Sequence, residues 1–170
     1  TVERKVGEYR FEGVDFELVD LPGTYSLDVA DGEVSLDEKI ARDFVHAREA
    51  DLIVNILDAS NLERNLYLTL QFLELRLPVI VALNMIDVAR QRGIAIDSEK
   101  LSRLLNVPVV ATIARRGEGK AELIEVAERI VGQGLPPQAL NISYGEDIDR
   151  ALAEMETAIT AAGLLTDIYP

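Results

Sequence analysis

Three short polar sets in this sequence each follow an apolar run and carry residue types suited to phosphate, metal or base recognition. Asp20-Leu21-Pro22-Gly23-Thr24 puts a carboxylate at the end of one run and a glycine three residues on. A carboxylate there can hold Mg²⁺ through water. A glycine lets its backbone N–H approach a terminal phosphate, because no side chain intervenes. The same letters also suit a strand followed by an ordinary Pro-Gly turn. Asn84-Met85-Ile86-Asp87 offers a carboxylate that can accept hydrogen bonds from both the N1–H and the N2 amine of guanine, a donor pair that adenine lacks. The Met85 thioether is apolar and adaptable enough to cover a ring face. A helix cap after a strand is the plainer account of these four residues. Thr112-Ile113-Ala114-Arg115-Arg116-Gly117-Glu118-Gly119 is the third set, and its Gly-x-Gly equally fits a simple strand-to-helix turn.

The elements that must position these sets are legible in outline. Val2 to Phe11 and Val14 to Leu21 read as an antiparallel hairpin across Glu12-Gly13. Ser35 with Glu38 makes a capping box for a helix to about Arg48, with Leu36, Ile40, Phe44 and Val45 on one face. Asp51 to Asp58, Pro78 to Asn84 and Val107 to Thr112 read as strands buried on both faces. Between them, Asn61 caps a helix carrying Leu62, Leu66, Leu70 and Leu73, and Asp97 or Ser98 caps a shorter one. Ala121 to Val131 closes the alternation, which is that of an α/β sheet covered on both sides. Gly132 to Pro137 has linker composition, and Asp147 to Ala162 is a separate amphipathic helix. The domains expected are residues 1–132, a linker at 133–144 and a helical unit at 145–170.

Composition narrows the function classes. Lys and Arg number 17 against 30 Asp and Glu, a net charge of −13, and no basic patch is set apart, so nucleic acid is not an expected partner. There is no cysteine, hence no disulfide, thiolate metal site or cysteine nucleophile. No run approaches the ~20 apolar residues of a membrane helix. The acids of the hairpin, Glu3, Glu8, Glu12, Asp15 and Glu17, have no ligand spacing and read as its solvated face. His46 is the single histidine and sits near a helix end, where a surface or capping role is the ordinary one.

Taken together, D-x-x-G, N-x-x-D and the Ala-Arg turn follow buried strands in the order found in GTP-binding G domains. Asp58 to Gln71, D-A-S-N-L-E-R-N-L-Y-L-T-L-Q, resembles a segment of FeoB, the bacterial ferrous iron transport family. So do V-D-L-P-G-T-Y-S-L at 19–27, S-L-D-E at 35–38 and V-A-L-N-M-I-D at 81–87. The resemblance covers nearly the whole chain. It implies an α/β, P-loop GTPase-like (Ras-like) three-layer fold with an antiparallel edge hairpin, followed by the start of a helical subdomain. It implies a GTPase on the cytoplasmic face of the inner membrane, tethered to an Fe²⁺ permease and controlling iron uptake. Its ligands would be GTP or GDP with Mg²⁺, and its partners the transporter's own helical and membrane domains.

By position in that family, Gly23, Asn84, Met85, Asp87, Ile113, Ala114 and Arg115 are the nucleotide-binding residues. The Ala114 N–H would reach the guanine O6. Ile113 stands where a Ser is usual, which leaves one supporting hydrogen bond open. Thr1 and Asp20 would serve Mg²⁺, Asp20 through water. Thr24 holds the place of a catalytic Gln in many GTPases, which implies slow hydrolysis. The stretch from Asp20 to Leu27 is expected to be the most mobile part of the core when no nucleotide is bound.

No G-x-x-x-x-G-K-[ST] occurs in the 170 residues. The family carries this phosphate loop, with its strand, before the position of Thr1. A chain without it is expected to be inactive alone, or to act as an interaction module, and to leave a gap between the strands ending at Asp20 and Asp58. An amino-terminal piece, a strand exchanged from another copy, or closure of the two strands on each other would fill that gap.

Overall fold

Alternating strands and helices appear in the computed structural model, which describes residues 5–11, 13–24, 27, 36–133 and 144–163. Strands β1 (Lys5–Phe11) and β2 (Val14–Asp20) form the expected antiparallel hairpin. Gly13 turns between them at φ 91°, a left-handed conformation that favours glycine. Glu8 and Glu17 lie opposite one another, next to the Arg10–Asp15 pair, and all four are exposed. This polar face is the solvated one; Tyr9 and Phe16 pair on the other and are half-buried. Helix α1 (Leu36–His46) follows, burying Ala41 and Val45, with Ile40 and Phe44 half-buried; its capping box at Ser35 lies outside the described residues.

The central sheet is parallel, in the order β3 (Ile53–Asp58), β4 (Val79–Asn84), β5 (Val109–Ala111). Its register sets Asp58 beside Asn84 and Leu83 beside Ala111, so the carboxyl ends of all three strands share one edge. That edge is where open α/β sheets take ligands. Helix α2 (Leu62–Glu74) crosses from β3 to β4. Helices α3 (Ile86–Gln91) and α4 (Ser98–Leu105) cross from β4 to β5, and α5 (Lys120–Gln133) leaves β5. Asp97, not Ser98, is the α4 cap: its carboxylate accepts from the Lys100 N–H at 2.8 Å.

Three readings are corrected here. Among the described strands only β4 is buried on both faces, from Val79 to Leu83. On β3, Asn55 and Leu57 are buried under α2, whereas Val54 is 40% and Ile56 65% exposed. The buried stripe of α2 is Leu68, Thr69, Phe72 and Leu73; Leu62, Leu66 and Leu70 are half-buried. The rotation follows from a polar pair: Asn55 Nδ2 donates to Thr69 Oγ1 at 2.8 Å, both side chains being buried. Leaving Asn55 unpaired would cost about 1–3 kcal/mol, enough to hold the helix in this rotation. Asn61 stands at the α2 N-cap position without a side-chain cap bond. The capping carboxylate is Asp58, which accepts from the Ser60 N–H at 2.8 Å and starts a short 3₁₀ turn.

The hairpin and the central sheet are separate: β2 and β3 do not pair, so the two strands have not closed on one another. Between them lies a cleft of about 1020 Å³ lined by residues including Val19, Pro22, Val54, Ile56, Ala127 and Val131. Lys120 Nζ sits 5.2 Å from the Tyr9 ring centre, tying the hairpin to the start of α5. The chain divides into two compact units, Thr1–Ala139 and Leu140–Pro170. In the second, α6 (Glu146–Ala161) carries Ile148, Leu152, Met155 and Ile159 along one exposed stripe. Among the described residues no helix is long and apolar enough to cross a membrane.

Gly119 joins β5 to α5 at φ 80°, and a Cβ there would collide with the Ala111 carbonyl oxygen and lie 2.9 Å from Thr112 Cγ2. Gly119→Ala should therefore destabilise the domain by about 2 kcal/mol through backbone strain and contact. That lowers Tm by about 4–8 °C in a thermal melt followed by circular dichroism. A Tm within about 1 °C of the unaltered protein would contradict the close approach.

Candidate functional site

The second and third polar sets meet at the carboxyl edge of the sheet. Strand β4 ends at Asn84, and the chain turns at once through Met85, whose φ 60° and ψ 30° are left-handed. That turn starts α3 with Ile86 buried and Asp87 in its first turn. A left-handed Met is an uncommon local cost. It leaves the thioether side chain exposed beside Asn84 and Asp87.

Asn84 connects the two loops. Its Oδ1 accepts from the Ala114 backbone N–H at 3.0 Å and from the Thr112 hydroxyl at 3.3 Å. Thr112 is buried, and its own N–H donates to the Leu83 carbonyl at 2.9 Å, extending the β4–β5 ladder by one residue. The supporting hydroxyl thus comes from Thr112, one residue before Ile113, the position where a Ser is usual. A Thr closing a strand opposite the Asn was the available signal. Ile113 is buried, and its N–H donates to the Glu118 carbonyl at 3.1 Å, closing the loop on itself. The Ala114 N–H, expected at guanine O6, is engaged by Asn84 in this structure.

Asp87 is the most electrostatically distinctive group of the site. Its side chain is 12% exposed and is ion-paired to Arg115, whose side chain is 64% exposed. Burial works to raise the Asp87 carboxyl. The hydrogen bond and positive charge of Arg115 outweigh it, helped by the backbone N–H groups of Val88 and of Asp87 itself, so the net displacement is downward. The group is held as a carboxylate, the form that accepts hydrogen bonds in two directions.

The first set lies elsewhere on the unit. Asp20 is exposed at the end of β2, and Gly23 and Thr24 follow at the rim of the cleft between the sheets. At the far end of the stretch Leu27 is buried, and its N–H donates to Gln71 Oε1 at 2.7 Å. Helix α2 therefore anchors the far end of this loop, a role for Gln71 that its position in an amphipathic helix did not announce. Thr1 lies outside the described residues. Among the described residues no group of three or more His, Cys, Asp or Glu gathers as a metal cluster.

Comparison with known proteins agrees with this geometry. The family model for ferrous iron transport protein B matches residues 1–127. The Fe(2+) transporter FeoB of Salmonella typhimurium is 53% identical over 119 residues, covering 70% of this chain and 15% of that protein. The Escherichia coli protein of the same name is 52% identical over the same length. The chain thus spans about 15% of the length of these relatives. Among solved structures, the cytosolic domain of the T. maritima FeoB iron transporter in its GMPPNP form superposes with a TM-score of 0.80 at 38% identity, covering 94% of this chain and 61% of that one. The FeoB G-domain from Methanococcus jannaschii gives 0.70 at 46% identity, covering 77% and 81%. A G domain with a parallel sheet, a detached antiparallel hairpin and an Asn-braced pair of loops is what this sequence builds, and the chain belongs to the FeoB family of ferrous iron transport proteins.

Proposed function

We propose that this segment is the GTP-binding and GTP-hydrolysing regulatory domain of a membrane Fe²⁺ transporter, acting on the cytoplasmic side of the inner membrane and controlling iron uptake. The observation that carries the reading is the constellation at the ends of β4 and β5. Asn84 fixes the Ala114 loop, and Asp87 stays ionised beside an exposed Met85. Guanine would offer N1–H and its N2 amine to Asp87, while Met85 covers one ring face and Ile113 and Ala114 border the other side, with Arg115 on the same loop. The nucleotide-bound forms of the T. maritima domain, with GMPPNP and with GDP, support guanine nucleotides as the ligand class.

Asp20 and Gly23 form the phosphate side of this reading. A single exposed carboxylate at a strand end suits a hard cation held through water, and such a cation keeps most of its own waters and phosphate oxygens. Mg²⁺ would supply charge neutralisation at the terminal phosphates, with Asp20 and Thr1 as its protein contacts and Gly23 donating its N–H to the phosphate. Thr24 stands at the catalytic place, where its short side chain holds an attacking water less well than Gln. The cleft between β2 and β3 has apolar walls at Val54 and Ile56 that a further strand would cover. The family's phosphate-loop strand is the element we assign there. Residues 133–144 then link the G domain (1–132) to a helical regulatory unit (145–170).

Two measurements on the intact protein test the reading. GDP should bind far more tightly than ADP, by up to about 4 orders of magnitude in a dry site, and Asp87→Ala should remove most of that preference. Equal GDP and ADP affinities in the unaltered protein would sink the assignment. Thr24→Gln should raise the single-turnover rate of GTP hydrolysis by about 10-fold or more. An unchanged or slower rate would remove Thr24 from the catalytic place.

A further inference from the structure

The Arg115–Asp87 pair has a chemical peculiarity. Arg115 sets one guanidinium nitrogen, Nη2, against Oδ2 of the carboxylate that the site holds for a base edge, and its planar group carries further N–H donors beside that one. Guanine's own N1, C2 and N2 atoms form the same kind of fragment, a carbon bearing two N–H donors directed the same way. The guanidinium therefore imitates the edge that Asp87 would read. It comes from the neighbouring loop, which Asn84 holds in place, so its reach to Asp87 is preset.

We propose that Arg115 is an internal competitor for the guanine subsite, occupying Asp87 in the nucleotide-free protein and swinging out to solvent when the base arrives. The proposal rests on the guanine reading of Asp87 and adds a device to it. The two side chains are unequal in a way that suits this role. Asp87 is fixed in the first turn of α3 and mostly covered, whereas Arg115 is mostly exposed, so it can leave without dragging buried groups with it. While the pair is closed, the hydrogen bond and charge of Arg115 hold the Asp87 carboxyl toward its ionised form.

The consequence is a base site whose apparent affinity is lowered by the fraction of time Arg115 occupies it. Neutral guanosine is the probe that isolates this effect, because it carries no phosphate and its own binding has no ionic component. In the intact protein, followed by ligand-observed NMR, Arg115→Ala should tighten guanosine binding about 2- to 5-fold, the range open to an exposed ion pair. Raising salt from low to high ionic strength should tighten guanosine binding to the unaltered protein, since it screens the competing pair, and should leave Arg115→Ala flat. Arg115→Lys keeps the charge but loses the fork, and should fall between the two. Weaker or unchanged guanosine binding in Arg115→Ala, with guanosine still preferred over adenosine, would overturn the competitor role and leave the guanine reading intact. Equal guanosine and adenosine affinity in the unaltered protein would sink both.

Discussion

The amide oxygen of Asn84 is the point on which the site depends. It accepts from the Thr112 hydroxyl and from the Ala114 N–H, and so ties the loop after β4 to the loop after β5. Parallel register alone brings these strand ends to one edge, but it does not fix loops that leave the sheet in different directions. An acceptor with two lone pairs, carried on the last residue of the innermost strand, does so with two bonds. The buried chain beneath it is what gives that acceptor a fixed origin: Ile80, Val81 and Leu83 are among the most deeply buried side chains of the protein. Arg115 and Asp87 then face each other because each hangs from one of the two tied loops.

A second polar contact sets the other half of the unit. Asn55 and Thr69 pair beneath α2, and Gln71, two residues further along that helix, receives the N–H of Leu27. The rotation of α2 on the sheet thus fixes where the loop after Asp20 is anchored. Core packing and the position of the phosphate-side loop are linked through one helix, by two hydrogen bonds of ordinary length. The cleft between β2 and β3 lies between these two structures, and the exposure of Val54 and Ile56 shows on which face of β3 it opens.

Much of this was legible in the residues. The alternation of strands and helices and the hairpin at Glu12-Gly13 follow from periodicity and turn chemistry, while the separation of β2 from β3 and the meeting of N-x-x-D with the Ala-Arg turn were what the family resemblance implied. What escaped has physical causes. The Leu62, Leu66, Leu70 and Leu73 spacing defines an apolar stripe, yet the buried one is offset, because a buried Asn on β3 demands its partner from Thr69. An apolar run such as Asp51 to Asp58 says that a strand is hydrophobic on both faces and not that both are covered. Ile113 carries no hydroxyl, and the one that serves Asn84 comes from Thr112, beside a loop that folds back through an Ile113–Glu118 bridge that no local pattern encodes. The Arg115–Asp87 pair spans 28 residues and depends on both loops having been tied first.

The brace itself can be read directly. In Asn84→Ala, the Ala114 amide loses its acceptor, and its hydrogen exchange should speed by about 10-fold or more, as expected for a lost bond worth about 1–3 kcal/mol. Measured alongside in the intact protein, the preference for GDP over ADP should fall with it, although Asp87 is untouched. Unchanged exchange at Ala114, or full guanine preference once the brace is gone, would contradict the account.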